Sequence, residues 1–264
     1  MRRLSLVMLL IFMVVGSLGC INSPSASTNG HNSSTSQPTS TSSSISGSWL
    51  HNSTKYFEIY YPKEVLENPY LHAKLNILIL GADYTYESFS KLFHREPRRA
   101  KIFLYTSEDS LKNRTGEDSI WFVNYTSNEI YLALLNVSRF CYAPELLPPI
   151  AELAAGKRLP DYLTVGLGTL AFGIPSYTAL KPETLYHADL RSDYNETLWG
   201  SAGMLVGYIL LKYGGSELAE LLKGDEAPKV TWKEFEGYLN GNFSGITTVS
   251  QMSLEITPKM FPGE

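Results

Sequence analysis

Ala143–Gly173 reads APELLPPIAELAAGKRLPDYLTVGLGTLAFG. Proline fixes φ and lacks an N–H, so it suits the first turn of a helix and breaks an interior. Pro148 and Pro149 therefore delay any helix that begins before them. The pattern predicts a short helix opening at Pro149 or Ile150 and running to about Ala155. Further on, Leu163, Leu167 and Leu170 fall on one face of a second helix, where Gly166 and Gly168 permit a close approach.

Within this stretch, Leu159-Pro160-Asp161-Tyr162-Leu163-Thr164-Val165-Gly166-Leu167-Gly168 resembles the LPxWLxEGxA segment of gluzincin metallopeptidases of the peptidase-MA-like type. In that family a helix carrying H-E-x-x-H supplies two zinc-binding histidines and a general-base glutamate, and the glutamate of the later E-G pair is the third ligand. The resemblance places the third-ligand position at Val165 and the first motif at Pro144-Glu145-Leu146-Leu147-Pro148, with sixteen residues between them. A second register, Ala151-Glu152-Leu153-Ala154-Ala155, leaves only nine residues before Val165, too few to finish one helix and return the next beside it.

Either register lacks histidine. Zinc in such a site needs three protein donors and an open position for water, and proline, alanine and valine carry none. Zinc-bound water ionises near pH 7 and bulk water near 15.7, a gap worth on the order of 12 kcal/mol that Glu145 alone does not replace. The resemblance thus implies an α+β, zincin-like domain: an N-terminal mixed sheet with a long helix, then a helical C-terminal half. It implies no catalytic residue, no metal and no cofactor. Pro144, Glu145, Pro148 and Val165 are then vestiges of a site, and the domain is a pseudoenzyme that holds a peptide or protein.

The chain opens Met1-Arg2-Arg3, followed by the apolar run Leu4–Val15. Its length and flanks suit a signal peptide better than a mature membrane span. Gly16-Ser17-Leu18-Gly19-Cys20 resembles a lipoprotein signal in which Cys20 bears the lipid; an uncleaved anchor is the alternative, because Ser17 departs from the usual aliphatic residue. Residues 21–48 are rich in Ser and Thr and lack Lys, Arg, Asp and Glu, a composition that cannot repay its ordering entropy. As a flexible stalk they reach roughly 30 Å. Residues 49–264 then form the domain, and the expected location is the extracytoplasmic face of the cell membrane.

Seven N-x-[ST] sequons stand at Asn32, Asn52, Asn113, Asn124, Asn136, Asn195 and Asn242. With a lipid signal they suggest a glycosylated archaeal surface protein. The formal charge is −4 with dispersed basic residues, which argues against a nucleic-acid partner. Lipidation of Cys20 leaves Cys141 unpaired, read as a buried inert thiol.

Tyr56–Tyr61 reads as a strand, and Asn68-Pro69 starts a helix whose stripe of Leu71, Leu75, Leu78, Ala82, Phe89 and Phe93 lasts until Pro97. Lys101–Ser107, apolar on both faces, suits an interior strand. Ile120–Tyr125 and Glu129–Leu135 form a hairpin; one of these strands is the expected edge for an extended peptide. Residues 174–195 read as mobile. Leu198–Tyr213 reads as a buried helix against the Val165 helix, ended by Gly214-Gly215, with further helices at Glu217–Lys223 and Trp232–Leu239.

Other patterns are weaker. Ser88-Phe89-Ser90-Lys91 matches S-x-x-K by coincidence, since no S-D-N or K-T-G follows. His187, Asp189 and Asp193 read as a solvated loop; an active zinc peptidase with non-standard ligands would have to start there. A glycan-binding envelope module using surface tyrosines is the third functional class, although the seventeen tyrosines read first as core.

Overall fold

The computed structural model describes residues 49–135, 143–172, 179–223 and 229–242, with the side chains of residues 221, 241 and 242 outside that description. Five strands make one mixed sheet: β1 (Leu50–Ser53), β2 (Phe57–Tyr61), β3 (Ala100–Tyr105), β4 (Trp121–Asn124) and β5 (Glu129–Ala133). They lie in the order β1-β2-β3-β5-β4. The three inner strands are parallel, and β1 and β4 are antiparallel edges.

Alternation along the strands decides which face is buried. Phe57 and Ile59, Ile102 and Leu104, Trp121 and Val123, and Ile130 and Leu132 enter the main core. The long helix α2 (Pro69–Leu92) follows the one-turn α1 (Glu64–Glu67) and adds Leu71, Leu75, Leu78, Ala82, Tyr86 and Phe89 to that core. Asn68 caps α2, its Oδ1 accepting from the N–H of Tyr70 at 2.9 Å and of Leu71 at 3.3 Å, with Pro69 in the first turn. One turn beyond the middle of α2, Asp83 accepts from the Tyr56 N–H at 3.0 Å and so ties the helix to the start of β2.

The opposite face of the sheet carries a row of rings. His51, Tyr60, Phe103, Tyr131 and Phe122 are register partners on successive strands, with centroids 5.0 to 6.0 Å apart. The helix α3 (Glu108–Thr115) closes one end of this face by packing Leu111 with Tyr105 and Ala133. The expectation that the tyrosines are core therefore needs dividing. Tyr61 and Tyr86 are buried, whereas Tyr60 and Tyr131 are half-buried on the outer face, where their hydroxyls donate to Glu58 and Glu129.

The C-terminal half is helical: a 3-10 turn at Pro144–Leu146, then α4 (Pro148–Ala155), α5 (Asp161–Phe172), α6 (Pro182–His187), α7 (Glu196–Lys223) and α8 (Trp232–Asn242). The chain is thus α+β. α5 lies against α7 so closely that a Cβ on Gly166 would meet Val206 Cγ2 at 2.4 Å and the Ala202 carbonyl oxygen at 2.6 Å. Hydrogen on Gly166 is what permits the crossing.

Several expectations change. The segment read as mobile contains α6 and buries Leu185, Leu190 and Arg191. Its periodicity is short and its packing is tertiary. Gly214 breaks α7 as expected: with φ 78° and ψ 163° it separates two helical stretches, the second running to Lys223. α4 opens at Pro148, one residue before the expected start, since proline is tolerated there. Among the described residues no helix is long and apolar enough to cross a membrane.

Candidate functional site

The elements that carry Pro144, Glu145, Pro148 and Val165 pack together. Pro144 opens the 3-10 turn and Pro148 opens α4, so the segment that the resemblance reads as one metal-binding helix is split after its first turn. Both pieces pack against α5. A Cβ on Gly168 would lie 2.5 Å from Pro148 Cδ, so the helices touch where the second histidine would stand. Val165 is fully buried.

Glu145 is also fully buried. Its Oε1 accepts from Lys74 Nζ of α2 at 2.5 Å and from the Leu135 N–H at 3.1 Å. Lys74, 2 % exposed, donates in addition to the Leu135 carbonyl at 2.6 Å. Burial pushes the Glu145 carboxyl above its ordinary range, against the pull of Lys74. Oε2 has no hydrogen-bond partner among the described residues.

A general base must reach the proton it takes, directly or through one water. Glu145 instead neutralises a lysine and ties the end of β5 to the 3-10 turn. Sequence alone showed Lys74 only as a polar residue between Leu71 and Leu75; its partner lies 71 residues away.

A second buried network was not legible in the sequence. Glu152 of α4, fully buried, receives Arg191 Nη1 and Nη2 at 3.0 Å each and Trp121 Nε1 at 3.0 Å. Arg191 Nε also reaches Asp161 Oδ1 at 3.2 Å, and its guanidinium lies 4.8 Å from the centroid of the Trp121 ring. This is a bidentate, stacked arginine of the kind that lysine does not replace. It joins β4, α4, α5 and the segment after α6. Burial, and then the Glu152 carboxylate, push the Tyr125 phenol up. Glu152 entered the sequence reading only as part of the alternative register, and Arg191 sits in the stretch read as mobile.

The remaining candidates are scattered. His187 is the last residue of α6 rather than a loop residue, and it is exposed, as are Asp189 and Asp193. His51, His72 and His94 are exposed as well. Among the described residues no three His, Cys, Asp or Glu are gathered so as to hold a metal ion. Ser88 is half-buried and Lys91 exposed, late in α2.

Of the sequons, Asn113 is exposed within α3. Asn124 and Asn195 use Oδ1 to cap a turn and α7, and Asn52 Nδ2 donates to the Tyr61 hydroxyl at 3.3 Å. Cys20, Asn32, Asn136, Cys141 and the Asn242 side chain lie outside the described residues. Comparison with models of known families returns no match, and no curated protein matches the chain.

Proposed function

We propose that this chain is a non-catalytic relative of the peptidase-MA-like metallopeptidases: a membrane-anchored, extracytoplasmic lipoprotein whose zincin-like domain binds a peptide or protein without cleaving it. The observation that carries the reading is Glu145, the single surviving member of the motif, fully buried and paired with Lys74. A carboxylate in that state is shut off from bulk solvent, whereas a general base must reach the proton it takes. The order of elements also supports it, with a long helix and mixed sheet preceding the two motif helices. β4 is an antiparallel edge strand packed beside α4, the position that the resemblance assigns to a strand taking an extended peptide. Anchoring through Cys20 rests on the apolar run and the Gly-Cys junction of the sequence.

The test is metal content. The full chain, extracted in a nonionic detergent and purified without chelators or a histidine tag, is expected to carry well under about 0.1 zinc per chain by plasma mass spectrometry. About one zinc per chain, together with peptide cleavage that a chelator abolishes, would overturn the proposal.

A further inference from the structure

A concave site of about 320 Å³ opens between the end of α2, the β4–β5 turn and the end of α4. Its volume is that of a small-molecule pocket. Three separate segments build it. Tyr86, Arg95, Glu96 and Arg98 come from α2 and the residues after it, Tyr125 and Asn128 from the turn, and Leu153, Ala154 and Gly156 from α4 and its C-terminus.

One arginine of the site is fixed by the fold. Arg95 Nη1 donates to the Ala155 carbonyl at 2.9 Å, capping the end of α4. Gly156 follows with φ 68°, and its missing Cβ is where the Arg95 guanidinium lies, 2.3 Å from the ideal position. Any side chain at 156 would be strained by the backbone and would displace Arg95.

Arg98 is fixed only at its backbone, whose N–H donates to the Tyr86 hydroxyl at 3.3 Å. Its exposed guanidinium has no hydrogen-bond or ion-pair partner among the described residues. Among the described residues Arg99 reaches a carbonyl, that of Thr54, and no carboxylate. Elsewhere in this net-acidic chain Lys74, Lys112, Arg191, Lys212 and Lys223 each face a carboxylate. Three arginines within five residues that face none, beside a concavity, form a local excess of positive charge. Glu96 is the one acid of the lining, and it is exposed.

We infer that this pocket binds a small organic anion, its carboxylate or phosphate held by the Arg98 guanidinium and its body lying against Tyr125 and Leu153. The planar fork of arginine matches both oxyanions in bidentate geometry. The cavity is far larger than a bare phosphate, and Tyr125 and Leu153 are among the residues that line the room left for the remainder of the ligand. The inference does not rest on the peptidase-like reading, since Pro144, Glu145, Pro148 and Val165 are all outside the pocket's lining.

The test uses the full chain in nonionic detergent and saturation-transfer NMR titrations of phenyl phosphate and N-acetylglutamate, with inorganic phosphate as a competitor. One of the two organic anions is expected to saturate, and which one does so identifies the oxyanion. Arg98→Gln is expected to raise its Kd by about tenfold or more, while Lys112→Gln, in α3 and outside the site, leaves it unchanged. Because the Arg98 side chain is exposed, its variant should melt as the native chain does. Absence of saturation by both anions up to about 10 mM, or equal affinity in the Arg98→Gln variant, would overturn the site. Inorganic phosphate binding as tightly as either organic anion would overturn the role given to Tyr125 and Leu153.

Discussion

Replacing Lys74 by Met probes the buried Lys74–Glu145 pair. The side chains are of similar length, so the change removes a charge and its donors while filling most of the volume. Two acceptors lose their partner: Glu145 Oε1, 2.5 Å from Nζ, and the Leu135 carbonyl, 2.6 Å away. Glu145 then stays fully buried with no cation beside it among the described residues, its Oε1 still accepting from the Leu135 N–H. Breaking a buried ion pair from one side costs about 3 to 5 kcal/mol. In a domain of this size each kcal/mol shifts Tm by roughly 2 to 4 °C, so the expected fall is roughly 6 to 20 °C.

The sign with pH follows from Glu145. Without Lys74, burial raises its folded pKa further above the unfolded value of 4.5. The folded variant binds the extra proton, so its stability is fully present below pH 4.5 and lost as pH rises through the folded pKa. The deficit against the native chain should therefore be smaller at about pH 5 than at about pH 8.

A second variant, Lys74→Met with Glu145→Gln, keeps an acceptor for the Leu135 N–H and buries no charge. It should recover to within about 1 to 2 kcal/mol of the native chain. Urea unfolding of the full chain in nonionic detergent at both pH values measures all three. A single variant that loses less than about 1 kcal/mol, or a double variant no more stable than the single, would refute the reasoning and leave Glu145 available to solvent.

Two further outcomes follow from the geometry. Gly166→Ala places a methyl against Val206 Cγ2 and the Ala202 carbonyl; α5 and α7 must move apart, lowering stability by about 1 to 3 kcal/mol in a thermal melt. Adding Val206→Ala should restore only part of that, because the Ala202 oxygen is backbone; full restoration would mean that the helices are not in close contact there. At the C-terminal helix, Lys212 first and then the Thr231 N–H and hydroxyl hold the Glu234 carboxyl down at about 2. That contribution is present above the ordinary value of 4.5 and disappears as pH falls from 4.5 toward 2, so amides of α8 should lose protection, relative to their intrinsic exchange rates, in that window. Glu234→Gln should lack the acid-dependent step; an identical acid response in that variant would remove Glu234 from the explanation.

Much of the architecture was written locally. The stripe from Leu71 to Phe89 and the Asn68-Pro69 start specified α2, because cap chemistry and a 3.6-residue period need only neighbouring residues. Short apolar runs gave the hairpin and β3, and two prolines were enough to shorten α4. Less was legible where elements are short: β1, α1 and α3 carry too few periods to stand out, and α6 is one turn and a half within a polar stretch.

The missing donors at Pro144, Pro148 and Val165 were a property of the sequence alone, since no fold can supply a ligand atom to proline or valine. What became of Glu145 was not. Its partner Lys74 lies 71 residues away and that of Glu152, Arg191, lies 39 away. Whether a carboxylate is a solvated base, a ligand or half of a buried pair depends on dielectric and on the distance to a cation, and both are set by which helices pack together. The same packing gathers Arg95 and Arg98, Tyr125 and Gly156 from three segments around one cavity. Local pattern thus determined the elements and the chemistry they lack, while tertiary contact alone decided the charge environment of every group that remains.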